Sequence, residues 1–114
     1  MATRSTISIQ GFKPIVYKHW DGNPEAMLPW LTKFNKQFTE RRGIDPHYKM
    51  AQLLRSSVLM RDEFALDASE VTGYGVFEKF EDIGQEYNYL LLDDGSVTYT
   101  RNAINPNKKT RGKK

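Results

Sequence analysis

Apolar residues change their spacing twice along this chain, and the changes divide it into elements. Thr6-Ile7-Ser8-Ile9 alternates with a period of two, which predicts a half-buried strand with Ile7 and Ile9 toward the core. Gly11 and Pro14 punctuate a short turn before Ile15-Val16-Tyr17-Lys18-His19-Trp20, a run rich in β-branched and aromatic residues. Together they read as a hairpin. Pairing Ile9 with Ile15 places Tyr17 opposite Ile7, His19 opposite Ser5 and Trp20 opposite Arg4, so that the Arg4 guanidinium would lie over the indole. A slip of one residue would undo this geometry.

The period then lengthens. Asp21-Gly22 supplies a turn, Asn23 is a good N-cap residue, and Pro24 suits the first helical position, where its missing N–H costs nothing. Met27, Leu28, Leu31, Phe34 and Phe38 recur at helical spacing as far as Arg42 and a stop at Gly43. Pro29 conflicts with that stripe and predicts either a kink or a separate turn over 24–28, which would fold over the end of the hairpin. Asp45-Pro46 repeats the start signal, and Met50, Leu53, Leu54 and Val58 with Ala51 mark a second apolar helix face.

Residues 61–75 read as a short third helix or a packed loop ended by Gly73-Tyr74-Gly75. Beyond it, 76–80, 87–92 and 96–100 read as strands, the last two joined by a hairpin turn at Asp94-Gly95. The order ββααβββ with short links predicts an α+β fold of two layers. About five strands form an antiparallel or mixed sheet, both helices cover one face, and the other face is polar or carries a partner.

At 114 residues, with 39% hydrophobic and 12% aromatic residues, the chain is sized and composed for one domain. It has no cysteine, which excludes disulfides and thiolate metal sites. The residues before Ile7 are polar and no apolar run approaches the ~20 residues that span a bilayer, so a cytoplasmic protein is expected. The net charge of +3 is concentrated at one end. Five of the 17 Lys and Arg are Lys108, Lys109, Arg111, Lys113 and Lys114, which leaves 12 against 14 Asp and Glu in the rest of the chain. The reading is therefore a slightly acidic domain over 1–101 and a flexible basic tail over 102–114.

The densest chemistry is His19-Trp20-Asp21. If the strand continues that far, His19 and Asp21 project to one side, where the carboxylate could orient the imidazole as an acid–base pair in a small hydrolase or nuclease. Ser5 is the one hydroxyl the expected register brings near. The bland alternative assigns Asp21 to the turn and makes His19 a structural histidine. Arg4, Ser5, Lys18 and the N–H groups at the first helix start could converge on an anion, although Glu25 competes for the same positive end. With His19, Trp20 and Asp21 they make the candidate ligand site. The ligand types at His19, Asp21 and Glu25 lack metal-site spacing, so neither metal nor cofactor is expected. The tail could touch nucleic acid phosphates by counterion release, but Glu78, Glu81, Asp82, Glu86, Asp93 and Asp94 disfavour that partner elsewhere.

Ala2-Thr3-Arg4-Ser5 with Ile7, Val16-Tyr17, His19-Trp20-Asp21-Gly22 and Pro24-Glu25 resemble the N-terminal motif of small phage and prophage accessory proteins. Met27-Leu28-Pro29, Thr72-Gly73-Tyr74-Gly75 and Glu86-Tyr87 with Tyr89 extend the similarity through most of the domain. This chain departs from the pattern at Asn23, where that family carries an aromatic, which removes a stacking role there. The resemblance implies a phage or prophage accessory protein; the His19-Trp20-Asp21 cluster without a complete catalytic set adds the expectation of a non-enzymatic one, binding and inhibiting a host factor, such as a defence factor, or sequestering a small anionic or nucleotide ligand.

Overall fold

A computed structural model describes residues 3–60 and 73–107, and of residues 57–60 the backbone alone. The element order is β1 (Ser5–Ile9), β2 (Phe12–Lys18), α1 (Pro24–Arg42), α2 (Pro46–Met60), β3 (Tyr74–Phe77), β4 (Tyr87–Leu91) and β5 (Val97–Arg101). This is the expected ββααβββ order. The five strands form one mixed sheet in the order β3-β2-β1-β4-β5. The central pair β1 and β4 is parallel, and the other three pairings are antiparallel. The expected third element over 61–72 lies outside the described residues.

The first hairpin is displaced from the expected register by one residue. Ser5 faces Lys18, Ile7 faces Val16 and Ser8 faces Ile15, after which the ladder shifts and Ile9 pairs with Phe12. The cause is local. The turn is the two residues Gln10 and Gly11, with Gly11 at φ 72, a conformation that costs glycine little. Lys13 and Pro14 are then absorbed in an irregularity, because Pro14 has no N–H to give to the ladder. Placing Pro14 in the turn moved every later residue of β2 to the wrong partner and the wrong face.

Helix α1 starts where the cap signal placed it and runs through Pro29 to Arg42 without a restart. Asn23 accepts the Ala26 and Met27 N–H groups through its backbone carbonyl, and its side chain makes no cap bond. Gly43, at φ 68, ends the helix by donating its N–H to the Thr39 carbonyl. Met27, Leu31 and Phe38 of α1 and Met50 and Leu53 of α2 are buried with Ile7, Ile9, Val16, Tyr89 and Leu91. Leu54 is only partly buried and Ala51 is exposed, so the inner face of α2 is centred one residue from where the sequence put it. The Trp30 indole N–H donates to the Ser56 hydroxyl at 2.8 Å, fixing α1 against α2.

The sheet face away from the helices is polar as expected over part of its area, and the chain itself covers part of it. Thr6 donates to the Asn88 carbonyl oxygen, which also accepts from the Gln85 amide, and Gln85 reaches the Glu81 backbone. Ile15 and Leu90 are buried on the same face. The C-terminal segment continues this cover: Asn102 donates to the Glu86 carbonyl, Pro106 is buried, and Asn107 grips the β1–β2 turn. Residues 102–107 therefore pack on the folded body, and 108–114 lie outside the described residues. No helix among the described residues is long and apolar enough to cross a membrane.

Candidate functional site

Strand β2 ends at Lys18, and His19 and Trp20 turn the chain off the sheet toward α1. The His19 N–H donates to the Gly73 carbonyl at 2.8 Å, so this corner is tied to the start of β3. Alternation along β2 puts Tyr17 and His19 on one face. The Tyr17 hydroxyl shares a hydrogen bond of 2.7 Å with His19 Nδ1. The imidazole also meets the Trp20 ring edge-on, with 4.7 Å between centroids.

Trp20 lies across Gly73, where a Cβ would fall 2.5 Å from the indole, and it is still 49% exposed. Only glycine leaves that seat open, and its φ of 82 favours glycine again. Lys18 donates through Nζ to the Trp20 carbonyl and lies over the Tyr74 ring at 5.5 Å. The corner is thus a set of aromatic rings and cationic or titratable tips held from the backbone.

The other candidate residues lie elsewhere. Arg4 is exposed, with its guanidinium against Gly84 and its carbonyl accepting the Glu86 N–H at 2.9 Å, so the expected stacking on Trp20 is not formed. Ser5 is buried on the helix side of the sheet, facing Lys18 and not His19. Asp21 is exposed at φ 56 in the turn after the strand, and Nδ1 of the imidazole it was expected to orient is bonded to Tyr17.

Gly22 is the tightest point of the motif. A Cβ there would come within 2.7 Å of the Ser5 side chain and the Thr3 carbonyl. Its carbonyl accepts the buried Tyr89 hydroxyl at 2.6 Å, and its N–H donates to Thr3 at 2.9 Å. The Asp21-Gly22 turn therefore docks the start of α1 onto the centre of the sheet. At that start Glu25 accepts from the Asn23 side-chain amide at 3.0 Å, which with a backbone N–H bond holds its carboxyl below the usual range. A charged carboxylate occupies the positive end of the helix, and Arg4, Ser5 and Lys18 do not converge there on an anion.

Among the described residues no group of three or more His, Asp or Glu is placed to hold a metal ion. Two members of the corner were missed from sequence. Tyr17 was legible as the i, i+2 partner of a strand histidine, whereas Gly73 is brought in by the pairing of β2 with β3, which leaves no local signal. Compared with known proteins, the chain matches no family model, no curated protein and no solved structure.

Proposed function

We propose that this chain is a non-enzymatic binding protein of the phage or prophage accessory kind that its N-terminal motif resembles, and that it engages a host protein through the His19-Trp20 corner. The observation that carries the reading is the half-exposed Trp20 ring, seated on Gly73 and braced by His19. A large aromatic held rigid at the surface loses little side-chain entropy on docking, and such residues dominate the energetics of protein interfaces. Lys18 and the Tyr74 ring beside it offer a polar margin to that anchor.

A hydrolase reading would need His19 oriented by Asp21, and its hydrogen bond to Tyr17 favours binding over that chemistry. The test is affinity capture from bacterial lysate with the wild-type chain, Trp20→Ala and Lys13→Ala, each checked by circular dichroism. A partner retained by wild type and Lys13→Ala and lost with Trp20→Ala is the expected result. Equal retention by Trp20→Ala, or hydrolytic turnover abolished by His19→Ala in a folded protein, would overturn the reading.

A further inference from the structure

The sheet face opposite the helices is not fully covered. Between the Gln85–Asn88 network and the β1–β2 turn lies an open cleft of about 710 Å³, within the ~300–1,000 Å³ usual for small-molecule sites. Its apolar lining on this face comes from Ile15 and Phe80, while Phe12, paired with Ile9, turns its ring to the helix side against His47. Its polar lining has a consistent sense. The Gln10 side-chain oxygen accepts the Asp93 N–H at 2.8 Å, and the Asn105 side-chain oxygen accepts the Asn107 N–H at 2.9 Å. Backbone donors thus fix the orientation of both amides, leaving each NH2 group without a partner among the described residues.

Lys13 and Lys79 border the same cleft, are exposed, and make no ion pair among the described residues. Ser8 lies in the lining and is 1% exposed, yet its hydroxyl has no hydrogen-bond partner. A buried polar group left so is destabilising, which an occupant able to bond it would relieve. Asp93 is the one carboxylate in the lining, against two ammonium groups.

We infer that this cleft is a binding site for a small organic anion with a flat apolar body, of nucleoside monophosphate size, held against Ile15 and Phe80 with its charge met by Lys13 and Lys79. Donors without acceptors call for an acceptor-rich ligand, and the apolar lining calls for more than a bare ion. Geometry also places the donors on four separate segments: β1 with its turn, the start of β2, the residues after β3, and the C-terminal segment. The site is independent of the partner surface proposed at the His19-Trp20 corner.

The test is an NMR titration of the full chain with adenosine monophosphate and with 8-anilino-1-naphthalenesulfonate, using adenosine and inorganic phosphate as controls. Saturable shifts are expected at the amides of Gly11, Lys13, Lys79 and Asn105, with the controls binding at least tenfold more weakly. Lys13→Ala with Lys79→Ala, both on exposed side chains, is expected to weaken both probes at least tenfold and leave the melting temperature unchanged; Phe80→Ala is expected to weaken them with the lysines intact. Absence of saturation by either probe at millimolar concentration, phosphate binding as well as the organic anions, or undiminished binding by the double lysine variant would each overturn the inference.

Discussion

Lys49 is 1% exposed, lies 5.5 Å from the centre of the Phe38 ring, and has no carboxylate within ion-pair distance among the described residues. Desolvation pushes its pKa below the ordinary value of 10.5, and the charge of Asp93 only partly restores it. The unfolded chain therefore holds this proton to higher pH than the folded one, so Lys49 lowers stability in full below its folded pKa. That cost is relieved as pH rises toward 10.5. Tyr89 acts in the opposite sense: burial, then the neighbouring Tyr87, Tyr99 and Glu25, raise its pKa, so stability falls as pH climbs past 10.0, where the unfolded phenol ionises. Lys49→Met is expected to be more stable than wild type at pH 7 and to lose the rise in stability with pH between 7 and 10. Urea denaturation across that range checks it, and lower stability at pH 7 would show that the ammonium is better solvated than its burial indicates. Among apolar positions, Leu31→Ala and Leu53→Ala are each expected to cost ~2–5 kcal/mol as core truncations. His19→Ala, at the end of a strand, is expected to cost much less by the same measurement, and an equal cost would make His19 a structural residue.

Helix α1 holds a proline at its sixth position and still runs from Pro24 to Arg42. Pro29 removes the N–H that would bond the Glu25 carbonyl, and its ring crowds that carbonyl. The helix persists because Met27 and Leu31, on either side of Pro29, are buried against the sheet and Gly22 pins its start through the Tyr89 hydroxyl. Pro29 itself is exposed, so replacing it disturbs no packing. Pro29→Ala is expected to raise stability by up to ~3 kcal/mol in thermal melts. A fall would mean that the proline shapes the entry from the hairpin into the helix. The β1–β2 hairpin shows the reverse balance: there Pro14 does change the structure, because a strand cannot route its ladder around a missing donor without an irregularity.

For the molecule as a whole, the C-terminal segment is a structural member. Asn107 accepts from the Gly11 N–H at 3.1 Å and donates to the Ile9 and Phe12 carbonyls at 2.9 and 3.2 Å, closing the end of the sheet over the β1–β2 turn. At ~1 kcal/mol for each such bond, with the Asn102 bond to Glu86 lost as well, ending the chain after Arg101 is expected to cost at least ~3 kcal/mol and to lower the melting temperature by roughly 10 °C or more. Asn107→Ala should reproduce most of that loss. An unchanged melting temperature in both variants would show that the segment rests on the sheet without stabilising it. The same segment supplies Asn105 to the cleft, so the shortened chain is also expected to bind the anionic probes more weakly.

Sequence alone determined what depends on neighbours a few residues apart. Asn23-Pro24 set the start of α1, Gly43 its end, Asp94-Gly95 the last hairpin, and the two apolar periodicities the order of strands and helices, since backbone sterics, capping and amphipathic spacing are local. The approximate α+β layering followed, because two helices with one apolar face each need one sheet face to cover. Only the tertiary structure decided the parallel pairing of β1 with β4, the seat of Trp20 on Gly73 and the bond between Tyr17 and His19. It also decided that Arg4 and Ser5 stand apart from the His19-Trp20 corner, and that Gln10, Asn105, Lys13 and Lys79 border one cleft. These depend on strand register and on contacts up to 98 residues apart in the chain, as between Ile9 and Asn107. A single residue of slip in β2 reverses which side chains share a face, so the composition of a site built across strands is fixed by the whole sheet and not by any segment within it.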